Sequence, residues 1–541
     1  MGSGSPTGAI WERLTINSGT TALCRMAQAV VSIAAVPVVL TKLGLVGYGV
    51  WQTIEALSAS ATLLIGPLSG TLLWRGSVAY GCEDDVAMYR TPGIGLLLTS
   101  ILLLCALPVF RVATPLGRLV HVPPALMHQF AYVMPSIVLL TVAGGFVDSF
   151  GAVVDGNQRI SHGVIVRTLG QSLKYVVAIA FFFAGYGLES LLFGFLASLA
   201  FMVVAMAILA RRLCPLIHPF PVIPTKHELK SGGRYGGLLF VGYVSAALRD
   251  QTDKLVFAFF ASPVWVGYYA IASKLANLVM DINSFVYNPT VTAAGALSSN
   301  SETSRVAILY TTLMAWVPMV SGMGLVIVVG LHNQLMHLWL GRAIPQVVPL
   351  LLMLVLANAL VVAVTGPGTS ICRGIGRVEI ETAYVVFNLI LNAVFTVVLV
   401  KLIGAIGTVI ASVGSWTLGA AYFAWYLHRN ITLPIRSTMK AIGIYCCAAA
   451  SGFVTLLATN HVAGIPSSRE GSVAVLAGAG AISIAFYLIL LILMRLMPEN
   501  ALRLAGRLLP AGRSRTHEPF AAAAATTEKA NMGPYGPCGD R

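Results

Sequence analysis

Apolar residues in this chain come in long runs, interrupted at short intervals by loops of a few polar residues. A helix that crosses a bilayer needs about 20 mostly apolar residues. Fourteen stretches of that kind follow one another, at about residues 20–41, 48–70, 91–110, 129–152, 168–186, 189–210, 235–261, 266–290, 306–331, 343–366, 380–400, 404–427, 441–459 and 471–495. Their spacing leaves no room for soluble domains between them. The runs are too long for barrel strands and lack a two-residue alternation, so the expected fold class is an all-α polytopic membrane protein of about 14 transmembrane helices. The first run begins after a polar leader and has neither the short apolar core nor the small-residue cleavage site of a signal peptide, so it is expected to be retained.

Polar residues inside the runs fall on helical spacing, where positions three or four apart share a face. In the first span Asn17, Thr21, Arg25, Gln28 and Ser32 form one stripe; in the eighth, Lys274, Asn277, Asp281, Ser284 and Asn288 form another. Glu381, Asn388 and Asn392 do so in the eleventh, and Arg167, Gln171 and Lys174 at the start of the fifth. Lipid cannot solvate such faces, so they must meet one another or water. Interhelical hydrogen bonding that merely holds a bundle together is the ordinary use of a lone Asn, Ser or Thr. Whole stripes argue better for a cavity.

Five cations lie within the spans: Arg25, Lys174, Arg249, Lys254 and Lys274. Charge at that depth is costly and usually functional, so these five are the candidate binding residues, for an anionic substrate. In the seventh span, Arg249 with Asp253 and Asp250 with Lys254 are oppositely charged pairs four residues apart, so a structural salt-bridge knot competes with a site there. Lys174 lies about two turns from a span end, where it can snorkel. Arg25 and Lys274 stand on stripes with no direct acidic partner on their own helix; Asp281 is seven residues from Lys274, about 10 Å along the axis. Glu55, beside Gln52, is the nearest partner in sequence for Arg25, with Asp148 and Asp155 as others. Glu55, Asp148, Asp250, Asp253 and Asp281 are therefore candidate counter-ions or ion-coupling acids.

Composition fits the pattern: of 541 residues 57% are hydrophobic and only 10% charged, far from a soluble domain. The net charge of +14 is a topology signal. Loops on the side of the N-terminus carry 23 Lys and Arg, those on the other side six. By the positive-inside rule both termini are cytoplasmic, in a multi-pass cell (inner) membrane protein. Basic loops facing anionic lipid explain the charge without a nucleic-acid partner.

The longest interior loop, rich in Pro and basic residues, separates six spans from eight. The expected organisation is a leader over 1–19, a first six-helix lobe over 20–210, a basic cytoplasmic linker over 211–234 and a second six-helix lobe over 235–427. Two C-terminal helices over 428–495 and a disordered polar tail over 496–541 follow. A faint repeat supports the lobes. Val46-Gly47-Tyr48 matches Val266-Gly267-Tyr268, Arg159 matches Arg377 and Gly187 matches Gly407, at offsets of 218 to 220 residues. An even number of spans intervenes, which makes the halves parallel repeats with a cavity between them near the midplane.

Other chemistry lacks support. The eight cysteines show no CxxC and no Cys/His ligand spacing, so neither a disulfide framework nor a metal site is expected. The chain has no P-loop, HExxH or GxSxG motif. The longest outer loops, about 111–128 and 332–342, contain no carboxylate, which disfavours a membrane glycosyltransferase or ligase. No catalytic residue and no cofactor is expected.

Leu43-Gly44 with Val46-Gly47-Tyr48-Gly49 after the first span, Gly156-Asn157-Gln158-Arg159 after the fourth, Thr252-Asp253-Lys254-Leu255 in the seventh, Val266-Gly267-Tyr268-Tyr269 and Asn288-Pro289 resemble the polysaccharide-transporter, or O-antigen flippase, family. The resemblance covers about residues 12 to 495. It implies two lobes in a V, alternating access, and movement of an undecaprenyl-pyrophosphate-linked oligosaccharide to the outer leaflet for surface polysaccharide assembly. It also implies cavity cations at Arg25 and Lys274 and an Asp-basic pair at Asp253-Lys254. The expected partners are a lipid-linked anionic oligosaccharide and membrane lipids, with coupling to H⁺ or Na⁺ left open. An ion-coupled multidrug antiporter of the same architecture is the alternative; organic cations call for acidic cavities, and the first span offers Arg25.

Overall fold

The structure is a computed structural model. It describes residues 6–498 apart from 83, 158, 216, 218–219, 300–302 and 463–468. Inside the helices, the side chains of Arg25, Arg249, Asp250 and Asp281 lie outside the described residues, as does most of the expected tail. The described helices all belong to one compact unit, Met1–Leu496.

The first half runs α1 (Pro6–Ala59), α2 (Thr62–Gly81), α3 (Asp85–Ala106), α4 (Val109–Leu119), α5 (Pro124–Gly156), α6 (Ile160–Phe183) and α7 (Glu189–Leu213). The second half continues with α8 (Lys226–Phe260), α9 (Pro263–Ser299), α10 (Thr303–Gly330), α11 (His332–Leu340), α12 (Val347–Gly374), α13 (Val378–Ile403) and α14 (Gly407–Asn430); α15 (Ile435–Val462) and α16 (Arg469–Leu493) end it. The described chain is helical throughout, as expected. Among the described residues, ten helices are long and apolar enough to cross a membrane. The expected spans outside those ten fall on α2, α8, α9 and α14; much of α8 and α9 lies outside the described side chains.

Local chemistry sets the breaks. Gly44, at φ 66°, interrupts α1 where the first span was expected to end, a conformation glycine adopts without steric cost. The second expected span is itself broken at Ser60 and Ala61, so it comprises the end of α1 and all of α2. At the start of α8, Thr225 Oγ1 accepts from the Glu228 N–H at 3.2 Å, and Glu228 Oε2 accepts from the Thr225 N–H at 2.7 Å. This capping box closes the helix end and shortens the free connection after α7. Cys82 is disulfide-bonded, which the scattered cysteines did not suggest.

The two halves share local geometry. The turn after α5 bonds Asn157 N–H to Val153 O and Arg159 N–H to Val154 O; the turn after α12 bonds Ile375 N–H to Ile371 O and Arg377 N–H to Cys372 O. Arg159 and Arg377 have nearly the same backbone angles, φ −96° and ψ 39° against φ −94° and ψ 51°. A short extra helix, α4 or α11, follows the third long span of each half. Both were read as loops in the sequence. In each half one helix is central: α5 packs on α2, α3 and α7, and α12 packs on α9, α10 and α14.

Among the described residues, contacts between the halves include one near each end of the helices. At one end a Cβ on Gly49 would lie 1.7 Å from Pro263 O, and one on Gly267 would lie 3.3 Å from Leu45 O. The turn after the first span and the turn before α9 are therefore in backbone contact. Glycine at 49 is what allows that approach. At the other end Glu228, on α8, pairs with Arg75 on α2 and with Arg90 on α3 at 3.4 Å. Beside it the Val222 N–H donates to Gly93 O at 2.9 Å.

Candidate functional site

Between these two contacts, side chains from four spans converge. Glu55, in the last part of α1, has Lys174 Nζ of α6 at 3.7 Å and accepts from Gln52 Nε2 at 3.0 Å. Gln52 in turn accepts from Lys254 Nζ of α8 at 3.3 Å, across the boundary between halves. Lys274, on α9, donates to the Ser32 carbonyl oxygen of α1 at 3.1 Å. Lys274 is within electrostatic range of Glu55, Lys174 and Lys254. Three lysines thus lie in one neighbourhood with one carboxylate: Lys174 of the first half meets Glu55 directly, Lys254 of the second reaches it through Gln52, and Lys274 of the second is within electrostatic range. The local excess is positive.

Why this arrangement persists in an apolar surround follows from its contacts. Lys174 is 8% exposed and sits over the rings of Tyr175 and Phe195, 4.6 Å from each centroid. Ring faces attract a desolvated ammonium and partly replace its water. Lys174 was expected to snorkel; burial against Glu55 and two rings holds it inward instead. Glu55 meets Lys174 and Gln52; the pairing with Arg25 suggested by proximity in sequence falls on a side chain outside the described residues. The sequence missed Lys174 and Glu55 as partners because they lie on different helices.

Asp253, whose expected same-helix partner Arg249 has its side chain outside the described residues, is bound by hydroxyls from other helices. Its Oδ1 accepts from Thr408 and Ser412, each at 2.8 Å, and its Oδ2 from the Tyr269 hydroxyl at 2.8 Å. At 2% exposed, it is a buried carboxylate satisfied by hydroxyls from α9 and α14. Asn388 and Asn392, from the eleventh-span stripe, bond to Ser412 and Ser415 of α14 nearby and serve packing. Glu381, from the same stripe, is bound by Arg373 through two guanidinium nitrogens, the Nε bond being 2.7 Å.

Asp148 lies apart from the lysines. It accepts from Ser69 Oγ at 2.6 Å and faces Arg167 at 3.7 Å, while Arg167 binds Asp155 at 2.9 Å. That group ties α2, α5 and α6 within the first half. Outside the spans, Glu228 is partly desolvated, which raises its pKa, but the Thr225 N–H, Arg75 and Arg90 more than offset this and bring it to about 2. No group of three or more metal-ligating side chains is found among the described residues.

The class of protein is defined by fold. The chain resembles the lipid II flippase MurJ in its inward closed conformation, at 12% identity and a TM-score of 0.63, over 88% of this chain and 98% of that one. It also resembles a multidrug resistance MATE family transporter of the MOP superfamily, inward-facing, at 16% identity, a TM-score of 0.59, and 78% and 97% coverage. A MOP superfamily transporter from Pyrococcus furiosus, described as having a binding pocket of reverse polarity, is similar at 16% identity, a TM-score of 0.51, and 78% and 94% coverage. The fold is that of MOP superfamily transporters, in a multi-pass membrane protein. Within the chain, residues 128–349 match the family described as polysaccharide biosynthesis protein. No curated protein sequence matches the chain.

Proposed function

We propose that the protein is a flippase that moves an undecaprenyl-pyrophosphate-linked oligosaccharide across the cell (inner) membrane by alternating access, for surface polysaccharide assembly. The observation that carries this reading is the convergence of Lys174, Lys254 and Lys274 on Glu55 from both halves. A pyrophosphate can displace the weaker Gln52 and Ser32 contacts and take charge-assisted hydrogen bonds from all three ammonium groups. Because the ligands come from both halves, a rocking motion changes their spacing and hence the hold on the anion. The polyisoprenoid stays in lipid.

The protein spans the membrane fourteen times with both termini cytoplasmic, as two six-helix lobes and two further helices. In that orientation the Gly49–Pro263 contact closes the outer end. Asp253 is the coupling acid, exchanging H⁺ or Na⁺ from its cage of hydroxyls, and Arg25 adds a further cavity cation. The match to a polysaccharide biosynthesis family supports the glycan, and the positive excess at the lysines disfavours an organic-cation antiporter. The test is export in cells depleted of the protein and complemented with Lys254→Gln or Lys274→Gln. Each variant is expected to insert normally while lipid-linked oligosaccharide accumulates in the cytoplasmic leaflet. Normal glycan export by both would overturn the reading.

A further inference from the structure

A cavity of about 580 Å³ lies within the second half, walled by α8, α9, α12, α13 and α14. Every one of these helices contributes polar or aromatic side chains to it, among them Lys254, Asn277, Asn358, Tyr384 and Trp416. The size falls inside the range of about 300–1,000 Å³ usual for small-ligand sites. Among the described residues, the amides of Asn277 and Asn358 and the indole N–H of Trp416 make no hydrogen bond to protein. The carbonyl oxygen of Gln251, also on this wall, is buried without a partner.

These groups select a ligand chemistry. An amide offers donor and acceptor together, which matches hydroxyls that do both. The rings of Tyr384 and Trp416 offer flat apolar surface. A purely apolar guest would leave the amides unpaired. A second anion is disfavoured, since Arg373 and Glu381, both on the wall, neutralise each other and leave no surplus charge among the described lining residues beyond Lys254. A neutral polyol ring with apolar C–H faces satisfies both halves of the lining. Lys254 fixes where such a ring sits, because its ammonium bonds Gln52 in the lysine group while its side chain lines this cavity.

We propose that this cavity is the sugar subsite: it holds the one or two sugar residues next to the pyrophosphate, with Trp416 and Tyr384 against ring faces and Asn277 and Asn358 on ring hydroxyls. The inference rests on the flippase reading, since it places the headgroup at the lysines. The test measures binding of two probes to the full chain in nanodiscs, a polyprenyl pyrophosphate and the same lipid carrying an N-acetylglucosamine disaccharide. Trp416→Ala and Asn358→Ala are each expected to weaken the disaccharide lipid by about fivefold and the bare lipid by less than about twofold. Lys254→Gln is expected to weaken both probes. Trp416→Phe, which keeps a ring, is expected to retain most of the disaccharide affinity and guards against a misfolded variant. Equal loss on both probes in the Trp416 and Asn358 variants, or no loss on either, overturns the sugar subsite and leaves the flippase reading standing. Failure of the unaltered protein to bind either probe overturns the flippase reading itself.

Discussion

Lys174 carries its charge into an apolar layer because Glu55 and two aromatic rings meet it there. Removing one member of a buried pair leaves the other uncompensated, which costs about 3–5 kcal/mol. Lys174→Gln or Glu55→Gln alone is therefore expected to lower thermal stability in detergent, and the double variant to recover much of the loss. A double variant as unstable as the two single losses added would show that the pair is not coupled. The cations themselves were legible in the sequence, since each interrupts an apolar run. Their partners were not. Lys174 with Glu55 and Lys254 with Gln52 are contacts between helices far apart in sequence, and helical spacing reports only neighbours on one helix. Asp253 shows the same limit: the hydroxyls that take its oxygens, on Tyr269, Thr408 and Ser412, come from helices that spacing on its own helix does not report.

At the level of elements, the ends of the helices decide how the halves touch. Gly49→Ala puts a methyl group into the Pro263 backbone and must separate the two turns, whereas Gly267→Ala meets Leu45 at 3.3 Å, tighter than ordinary contact, and needs a shift of only a few tenths of an ångström. Spin labels flanking the two turns are expected to report a longer distance for Gly49→Ala and little change for Gly267→Ala. Unchanged distances in both would remove Gly49 as the residue that permits the approach. At the opposite end, the Glu228 clamp has a pH dependence of defined sign. Its folded pKa of about 2 lies below the ordinary 4.5, so its contribution is present above the ordinary value and lost as pH falls through about 2. The clamp is expected to be insensitive to pH between about 5 and 8, while Glu228→Gln weakens it at every pH in that window, read as faster proteolysis of the 214–225 connection. Equal proteolysis of the variant and the unaltered protein would contradict this. Long spans were legible because lipid demands length and apolarity. The short helices α4 and α11 were not, since they are brief and lie between spans.

For the molecule as a whole, the loop charges, 23 against six, are what the proposed orientation, and with it the proposed transport direction, rests on. A cysteine-labelling survey is expected to find positions in 214–225 accessible from the cytoplasm and positions in 107–123 accessible from outside; the reverse pattern would invert the transport direction. The central claim is that an anionic lipid headgroup is held by lysines from both halves and carried across. The most direct measurement is flipping of a lipid-linked oligosaccharide in proteoliposomes, comparing the unaltered protein with the triple variant Lys174→Gln, Lys254→Gln, Lys274→Gln and with Lys42→Gln as a control outside the site. The account predicts flipping by the unaltered protein and the control, and none by the triple variant that still reconstitutes. Flipping by the triple variant at the unaltered rate would contradict it.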